Sequence, residues 1–295
     1  MAGRTDKTKL LHLATEMAAR VDGLVPLARD WVSYDQVAEG YDRFLCTNGY
    51  AALATDLVSL LNLPAGGSML DVGCGTGVAA SAAGKAVGAG GLVVGLDPSL
   101  AMLRRASARG LTTVVAGRLP GLPFREGIFD VVGASLVLSH VQSYETALRD
   151  MVRVLKPGGS LGVTAGARRP GPPNPAYRLW VETAESLLGH GALDEAGRSA
   201  LPWETWFTDG AHVATALAEA GLIGVEVEQR EYGVEMATDD YVSMFDAFAY
   251  GRFLREALGE RDWGEFGRRI RNTVAECCDP RIRYVARYHV GIGRK

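Results

Sequence analysis

A regular alternation of short apolar stretches with helical patterns between residues 69 and 165 restricts the fold of this chain more than any other feature. Five apolar stretches are the predicted strands: residues 69–72, 92–96, 112–116, 129–134 and 160–165. The helical patterns between them cover residues 77–87, 99–109 and 144–155. Because these strands are apolar throughout, rather than at every second position, both of their faces are expected to be buried. The pattern predicts an α/β fold in which a parallel sheet carries helices on both faces.

Two further strands are predicted near the end of the chain, at residues 223–229 and 284–292, where apolar and polar side chains alternate. A helical pattern at residues 211–220 precedes the first of them and ends at Gly221, a typical residue beyond a helix C-terminus. The predicted sheet therefore has seven strands.

Three segments fall outside this alternation and are expected to form a cap. Residues 1–50 are predicted to be a helical lid segment, ahead of one domain that spans residues 51–295. Within that domain, we predict cap insertions at about residues 168–209 and 238–278. The first begins with RRPGPPNP, which excludes a helix or central strand there, and the second is helical and rich in aromatic and arginine residues.

Composition excludes several classes of protein. The chain has 295 residues, 47% hydrophobic and 22% charged, as an ordinary globular protein does. Its net charge of -3 argues against a broad electrostatic contact with nucleic acid. It has no apolar run of about 18 residues and no secretory signal, so we expect no membrane partner and a cytoplasmic location. The four cysteines are expected to be reduced, and no residues have metal-ligand spacing, so no metal is predicted.

A glycine-rich loop follows the first predicted strand, in the sequence LDVGCGTGVAA at residues 70–80. Glycines there allow a sharp turn and let a ligand lie directly against the main chain. Asp97 follows the second strand, 22 residues beyond Gly75. A carboxylate in that place can accept hydrogen bonds from both ribose hydroxyls of an adenosine.

Two details favour S-adenosylmethionine (SAM) over a nicotinamide dinucleotide as the ligand. The third glycine of the dinucleotide pattern is absent, because Val78 stands in its place. Asp71, at the mouth of the loop, suits a ligand with an ammonium and a sulfonium group, whereas a pyrophosphate requires a site without nearby negative charge.

Four segments in this order resemble the motifs of the class I SAM-dependent methyltransferases, in particular the ubiquinone/menaquinone-biosynthesis-like small-molecule branch. The segments are LDVGCGTGVAA, GLDPSLAMLRRA, LPGLPFREGIFDVVGASLVLSHV and ALRDMVRVLKPGG. The resemblance covers roughly residues 30–165. It implies a Rossmann-like sheet of seven strands whose last strand is antiparallel, SAM as cofactor, and a methyltransferase activity.

The resemblance also implies roles for individual residues. The cofactor-binding positions that it implies are Tyr34, Tyr41, Asp71, Gly73, Cys74, Gly75, Asp97, Pro98, Met102, Arg118, Leu119 and Ser135. In the family, the glycine loop contacts the methionine half of SAM, the acid after the second strand holds the ribose, and the methionine lines the adenine pocket. Tyr34 and Tyr41 lie in SYDQVAEGYD, which looks like the aromatic motif that closes over the cofactor. For Met102 and both tyrosines, packing in the core is the alternative.

One position departs from the family pattern. Arg118 stands where an aspartate commonly accepts from the adenine amino group, and arginine has no acceptor. Adenine would then be read by backbone groups of Arg118 and Leu119, or by stacking of the guanidinium on the ring.

His140 is the first candidate for catalysis because it follows the fourth strand at the carboxyl edge of the sheet, where α/β sites form. Histidine can accept a proton near neutral pH, which a hydroxyl or acidic-carbon acceptor requires. The open alternative is a structural or positioning role. His289 is a weaker candidate and is expected to be structural.

The expected pocket is lined by the cap. Tyr241, Met244, Phe245 and Phe248 share one helix face, which either packs in the core or forms an apolar roof. Trp203 and Trp206 could line the same pocket. Five arginines could bind an acidic group but are typical of a solvated helix face: Arg252, Arg255, Arg268, Arg269 and Arg271.

The sequence therefore predicts an enzyme that methylates O, N or C of a small, hydrophobic metabolite. A SAM-binding protein of the same fold that catalyses a cyclisation or elimination, or that is non-catalytic, is the main alternative. A nicotinamide-dependent oxidoreductase is a third. A nucleic-acid methyltransferase is disfavoured by the charge and by the absence of its usual Pro-Pro motif after the fourth strand. The substrate and the oligomeric state stay open, with a homodimer among the options.

Overall fold

The computed structural model describes residues 34–35, 37–45, 49–169 and 171–295. Most of the predicted lid segment, residues 1–50, therefore lies outside the described residues, and so do His12 and Cys46. Of that segment, the structure describes residues 34–35, 37–45 and 49–50, which include one whole helix.

The sheet has seven strands. They are β1 (Ser68–Val72), β2 (Leu92–Asp97), β3 (Val114–Ala116), β4 (Phe129–Ser135), β5 (Leu155–Gly166), β6 (Ile223–Ala237) and β7 (Arg281–Arg294). Their spatial order is β3-β2-β1-β4-β5-β7-β6. Strands β1 to β5 pair in parallel, whereas β7 is antiparallel to both β5 and β6. The predicted Rossmann-like sheet with an antiparallel last strand is confirmed.

The α-helices surround this sheet. They are α1 (Ala38–Leu45), α2 (Tyr50–Leu60), α3 (Val78–Val87), α4 (Leu100–Ala108), α5 (Tyr144–Val154), α6 (Pro175–Leu188), α7 (Ala192–Ala200), α8 (Gly210–Glu219), α9 (Thr238–Met244) and α10 (Ala249–Cys277). The helical pattern predicted over residues 238–278 is therefore two helices, which are separated by a 3-10 turn at Phe245–Ala247. Within α10, Gly259 has a φ of 73°, outside the helical region, so the long helix kinks there.

Helix α4 shows why these elements begin where they do. Ser99 has an extended backbone, and its hydroxyl accepts a hydrogen bond from the Met102 N–H at 3.1 Å. That contact satisfies one of the N–H groups that the first turn of a helix leaves unpaired. The N-cap predicted for Ser99 is confirmed, and it fixes α4 directly behind Asp97.

Strands β6 and β7 are longer than the alternating patterns predicted. They pair continuously from Glu226 opposite Ile292 to Ala237 opposite Arg281, after an irregularity near Ile223. Glu235 forms ion pairs with Arg281 and Arg283 across this ribbon. Polar side chains on both faces of these strands hide the alternation of apolar and polar residues. The strands predicted from that alternation are therefore shorter than the paired strands.

The core has two halves, one on each face of the sheet. On one face, helices α2 and α3 share an apolar cluster with the cap helices α6, α9 and α10. On the other face, α5 and α8 pack with the segment around Phe207. Trp180 of α6 is 1% exposed and stacks on Phe245 with 4.7 Å between ring centroids. The two cap insertions therefore complete the core of the sheet.

Among the described residues, no helix has both the length and the apolar character to cross a membrane.

Candidate active site

The glycine loop joins β1 to α3 and has the backbone geometry that its sequence requires. Gly73, Gly75 and Gly77 have φ values of 65°, 52° and 84°, a region that other residues rarely adopt. A Cβ atom on Gly73 would lie 2.5 Å from a methyl carbon of Val137, so only glycine fits there. At Gly75, a Cβ atom would meet no heavy atom within 4 Å. The loop therefore offers an open backbone face to a ligand.

Two carboxylates lie beside this open face. Asp97, at the end of β2, accepts hydrogen bonds from the Gly75 N–H at 2.9 Å and from the Ser99 N–H at 2.8 Å. These bonds fix the carboxylate, and each oxygen keeps capacity to accept another bond. Asp71, at the end of β1, accepts from the Ala80 N–H at 3.0 Å, in the first turn of α3.

Both carboxylates are buried, Asp71 at 2% exposure and Asp97 at 7%. Burial raises the pKa of Asp71 to about 7, although the Ala80 N–H opposes the shift and the Asp97 charge adds to it. Burial likewise raises the pKa of Asp97 to about 6, against the hydrogen bonds from Ser99 and Gly75. In the part of the chain that the structure describes, neither carboxylate has an ion pair.

A buried acidic pair beside an open glycine backbone fits a cationic ligand, because a bound positive charge would compensate the burial of the carboxylates. SAM carries an ammonium and a sulfonium group, whereas a dinucleotide would bring two further negative charges. The residues present therefore fit SAM. That Asp97 accepts from the ribose hydroxyls and that Gly75 lies against the ligand stay predictions.

Other predicted cofactor positions surround this loop. Arg118 lies just beyond the end of β3. The last residue of that strand, Ala116, pairs with Asp97 of β2. Arg118 and Pro98 are exposed, whereas Met102 is 2% exposed. The Ser135 hydroxyl lies 3.0 Å from that of Thr164 on β5. Their contacts with SAM, and those of Leu119, stay predictions.

Cys74 contributes its backbone, rather than its thiol, to the loop. Its N–H donates to the Leu96 carbonyl, and its side chain packs against β2, where a Cβ on Gly95 would lie 2.8 Å from the sulfur. Burial raises the pKa of the thiol far above its usual range, so the sulfur stays protonated. Any contact of Cys74 with a cofactor would use its main chain.

Residues of the N-terminal segment lie across the loop and α4. The Asp42 carboxylate accepts from the Thr76 hydroxyl at 2.8 Å and forms an ion pair with Arg109. Asp35 accepts from the Ser99 hydroxyl at 2.7 Å and from the Ala101 N–H at 2.9 Å. Neither aspartate was singled out from the sequence, although both lie in the SYDQVAEGYD motif. The first helix of the structure is therefore held over the predicted cofactor site by side-chain contacts.

His140 lies at the end of a 3-10 turn, Leu138–His140, directly after β4. More than a third of its surface is accessible, and the Tyr34 and Tyr41 rings lie on one side of it, so we interpret the space beside the ring as a cleft. Burial lowers the pKa of His140 to about 4, and the charge of Arg252 adds to this effect. Both causes act in one direction. The imidazole is therefore neutral at physiological pH and can accept a hydrogen bond or a proton.

Aromatic side chains form the walls of this cleft. Tyr34 contacts His140 edge-on, with 5.8 Å between ring centroids, and Tyr41 in turn contacts Tyr34. Phe248 lies between Tyr41 and Tyr50, at centroid distances of 6.5 Å and 6.3 Å. Burial raises the pKa of all three tyrosines, so their hydroxyls are protonated donors. The cleft combines apolar rings with a few hydroxyl groups.

The predicted aromatic stripe divides between core and cleft. Tyr241, Met244 and Phe245 are 2–6% exposed and pack in the core, whereas Phe248 is partly accessible and faces the tyrosines. The core interpretation therefore holds for the first three residues, and the roof interpretation stays a prediction for Phe248.

Trp203 and Trp206 lie elsewhere. Both pack on Tyr144 of α5, and Trp206 also stacks on His212 with 4.2 Å between centroids. They fill the opposite face of the sheet rather than the tyrosine cleft.

His289 is placed as a structural residue. Its Nε2 atom lies 3.0 Å from the Thr208 carbonyl, which joins β7 to the segment before α8. His190 is an exposed residue near Glu185. His140 is thus the histidine that reaches the cleft among the four in the described residues.

Arg252 is the residue whose place the sequence did not predict. It is 6% exposed, and its guanidinium carbon lies 4.1 Å above the centre of the Tyr34 ring. Arg255 and Arg268 behave as the solvated-face interpretation expects, in exposed ion pairs with Glu260 and Glu265. The sequence signal that could have identified Arg252 is its position, because it lies in the first turn of α10, next to the aromatic stripe.

Comparison with known proteins agrees with this geometry. The family described as a methyltransferase domain matches residues 70–163, which run from within β1 to within β5 and include the glycine loop. A demethylmenaquinone methyltransferase of Geobacillus kaustophilus is 30% identical over 226 residues, which cover 68% of this chain and 91% of that protein. A protein of the same name from Anoxybacillus flavithermus is 35% identical over 137 residues, which are 43% of this chain and 58% of that relative.

A solved structure shows the same fold at low sequence identity. It is a SAM-dependent methyltransferase of Thermotoga maritima, described as a possible histamine N-methyltransferase. It superposes with a TM-score of 0.53 at 19% identity and covers 90% of this chain and 99% of that chain.

Proposed function

We propose, from the premise that this chain belongs to the class I SAM-dependent methyltransferases of the quinone-biosynthesis-like branch, that it methylates a small, mainly apolar metabolite in the tyrosine-lined cleft. The observation that carries the proposal is the position of His140. A neutral histidine faces the cleft at the carboxyl end of β4, next to the strand whose end carries the glycine loop. An acceptor bound beside His140 would lie next to the cofactor.

The relatives narrow the class of acceptor. Their name, demethylmenaquinone methyltransferase, supports a ring-bearing substrate and a carbon acceptor for this chain as well. The aromatic walls of Tyr34, Tyr41, Tyr50 and Phe248 suit the flat apolar body of such a molecule.

In this mechanism, bound SAM supplies a methyl group on a positively charged sulfur, and its sulfur leaves as a neutral thioether. Asp97 and Gly75 hold the nucleoside half, and the buried Asp71 supplies negative charge near the cationic end. The first helix and the described residues before it cover the site, held by Asp42 and Asp35. His140 accepts the proton that a hydroxyl or an acidic carbon must lose. The leaving group needs no acid.

The test is release of S-adenosylhomocysteine (SAH) in the presence of reduced naphthoquinones and substituted phenols. We expect release with at least one of them. His140→Gln should then lower kcat by about 100-fold or more, the usual scale of a lost general base, with little change in SAH affinity. His190→Gln changes an exposed histidine in the same way and should have no effect.

Two outcomes would contradict the proposal. SAM binding without SAH release under any acceptor would favour a SAM-binding protein with another activity. Equal kcat values for the His140→Gln and His190→Gln variants would remove His140 from the reaction.

A further inference from the structure

Arg252 places a positive charge inside the cleft, where it is held rigidly. The backbone N–H of Arg252 donates to the Phe248 carbonyl at 3.0 Å, and its side-chain Nη1 atom donates to the Ala247 carbonyl at 2.7 Å. Gly251 permits this arrangement, because a Cβ there would lie 1.8 Å from the Phe245 carbonyl oxygen. The tight turn before α10 thus turns Arg252 inward.

Three segments distant in sequence meet at this charge. Tyr34 comes from the N-terminal segment, His140 from the turn after β4, and Arg252 from α10. The Tyr34 hydroxyl lies 3.5 Å from His140 Nε2, and the guanidinium lies over the Tyr34 ring. The result is a cation, a hydroxyl donor and a neutral imidazole around one corner of the cleft.

Among the described residues, Arg252 gives this corner a positive field. Its charge acts on His140 and adds to the lowering of the imidazole pKa by burial. At Tyr34, Arg252 outweighs the two carboxylates whose charges also reach the hydroxyl, Asp97 and Glu204. An anionic group would be stabilised there, and a protonated amine would be repelled.

We propose that Arg252 binds the acceptor substrate through an anionic oxygen, that of a phenolate or enolate, and holds it beside His140. This inference rests on the proposed methyl transfer and deepens it, because it names the class of acceptor. It excludes a free amine as the preferred acceptor, and it assigns to α10 a residue that sets specificity.

The proposed step balances as follows. The acceptor O–H proton passes to His140 Nε2 and on to water in the cleft, and the oxygen keeps the electron pair beside the guanidinium. A bond forms between the methyl carbon and either that oxygen or the ring carbon conjugated with it. The carbon–sulfur bond breaks, and its electron pair stays on the sulfur of SAH. After carbon attack, His140, which has passed its first proton to water, accepts the proton from the ring carbon, and aromaticity is restored.

The test uses 4-nitrophenol, whose absorption spectrum reports its ionisation, and the SAH-saturated protein, in which no transfer occurs. Bound to the wild type, the probe should ionise about one pH unit or more below its value in buffer, as expected beside an opposite charge. Arg252→Gln should abolish this shift, and Arg252→Lys should retain part of it. Arg255→Gln, an exposed arginine in the next turn of the same helix, should behave as wild type.

A second measurement does not depend on the folding of a variant. At pH 8, the wild type should bind 4-nitrophenol at least tenfold more tightly than 4-nitroanisole, which has no ionisable hydroxyl. Equal affinities, no binding of the phenol, or binding of its neutral form would overturn the inference.

The other possible partner of Arg252 is the carboxylate of the cofactor. A tenfold loss of SAH affinity in Arg252→Gln with an unchanged probe titration would overturn the inference in favour of that role. Failure of the proposed function would be recognised separately, because SAH release is measured without the probe.

Discussion

At the scale of single residues, the cofactor site depends on two carboxylates whose burial is unfavourable without a ligand. Asp71 and Asp97 have pKa values raised to about 7 and about 6 in the folded chain. Because the folded-state pKa lies above the unfolded value, the two groups favour folding at low pH. That contribution is lost as the pH rises through their folded pKa values. A bound cation reverses the effect, because it favours the ionised carboxylates.

We therefore expect Asp71→Asn to raise the melting temperature of the ligand-free protein at pH 8 and to change it little at pH 5. The same variant should bind SAM more weakly than the wild type at pH 8. In the wild type, SAM affinity should increase from pH 5 to pH 8, with protons released on binding. Calorimetry in buffers of different ionisation enthalpy measures that release. A lower melting temperature for Asp71→Asn at pH 8 would contradict the account.

The residue scale also separates what the sequence could predict from what it could not. Asp71, Asp97 and the loop glycines were identified because strand, loop and spacing appear together in the chain. Arg252 was grouped with exposed arginines, since its helix has charges on every side. Its burial depends on contacts with the Ala247 carbonyl and with the ring of Tyr34, and Tyr34 lies far away in the sequence.

At the scale of elements, polar side chains of the glycine loop and of the C-terminal end of α4 help to attach helix α1 to the body. Asp42 contacts Thr76, Arg109 and, at 3.8 Å, Arg105. Arg109 also donates to the Thr76 carbonyl at 2.9 Å. These side chains are about one-third exposed, so each ion pair contributes little, roughly 0.5–1 kcal/mol. We propose that this segment opens for ligand exchange, and weak, multiple contacts suit that motion.

Asp42→Asn and Arg109→Gln should each speed SAH dissociation about two- to fivefold, the factor that 0.5–1 kcal/mol implies. Arg104→Gln changes an exposed arginine of the same helix and serves as the control. Stopped-flow measurement of SAH release gives the rates, and added salt should reduce the difference between variants. Identical rates for the Asp42→Asn and Arg104→Gln variants would show that this contact does not hold the segment closed.

Elements with an unbroken local pattern were predicted best. Strands β1, β2 and β4 agree with the prediction to within a residue or two, and α4 begins at its predicted cap. The length of β6 was missed because its polar residues are paired across the ribbon, as Glu235 is with Arg281. Helices α6 and α7 were not predicted as separate elements, since aromatic residues in that insertion were assigned only to a cap.

At the scale of the whole molecule, the cap and the sheet share one apolar cluster, which fixes the cleft between them. Trp180 is central to it, stacked on Phe245 and in edge contact with Phe266 at 5.7 Å. Removing a buried tryptophan costs about 3–5 kcal/mol. The cap is therefore expected to unfold together with the sheet.

Trp180→Ala should lower the denaturant midpoint strongly and leave a single transition by both fluorescence and circular dichroism. Trp203→Ala, a partly exposed tryptophan on the other face, should cost less. Two separated transitions in the wild type would show instead that the cap is an independent unit.

The most direct test of the central claim is calorimetric titration of the whole chain with SAM, SAH and NADH, beside Asp97→Ala and the exposed control Asp262→Ala. The account predicts that SAM and SAH bind and that NADH does not. Asp97→Ala should weaken binding about tenfold or more, from the loss of hydrogen bonds to a charged group, whereas Asp262→Ala should match the wild type. Folded wild-type protein that binds neither SAM nor SAH, or an Asp97→Ala variant with unchanged affinity, would contradict it.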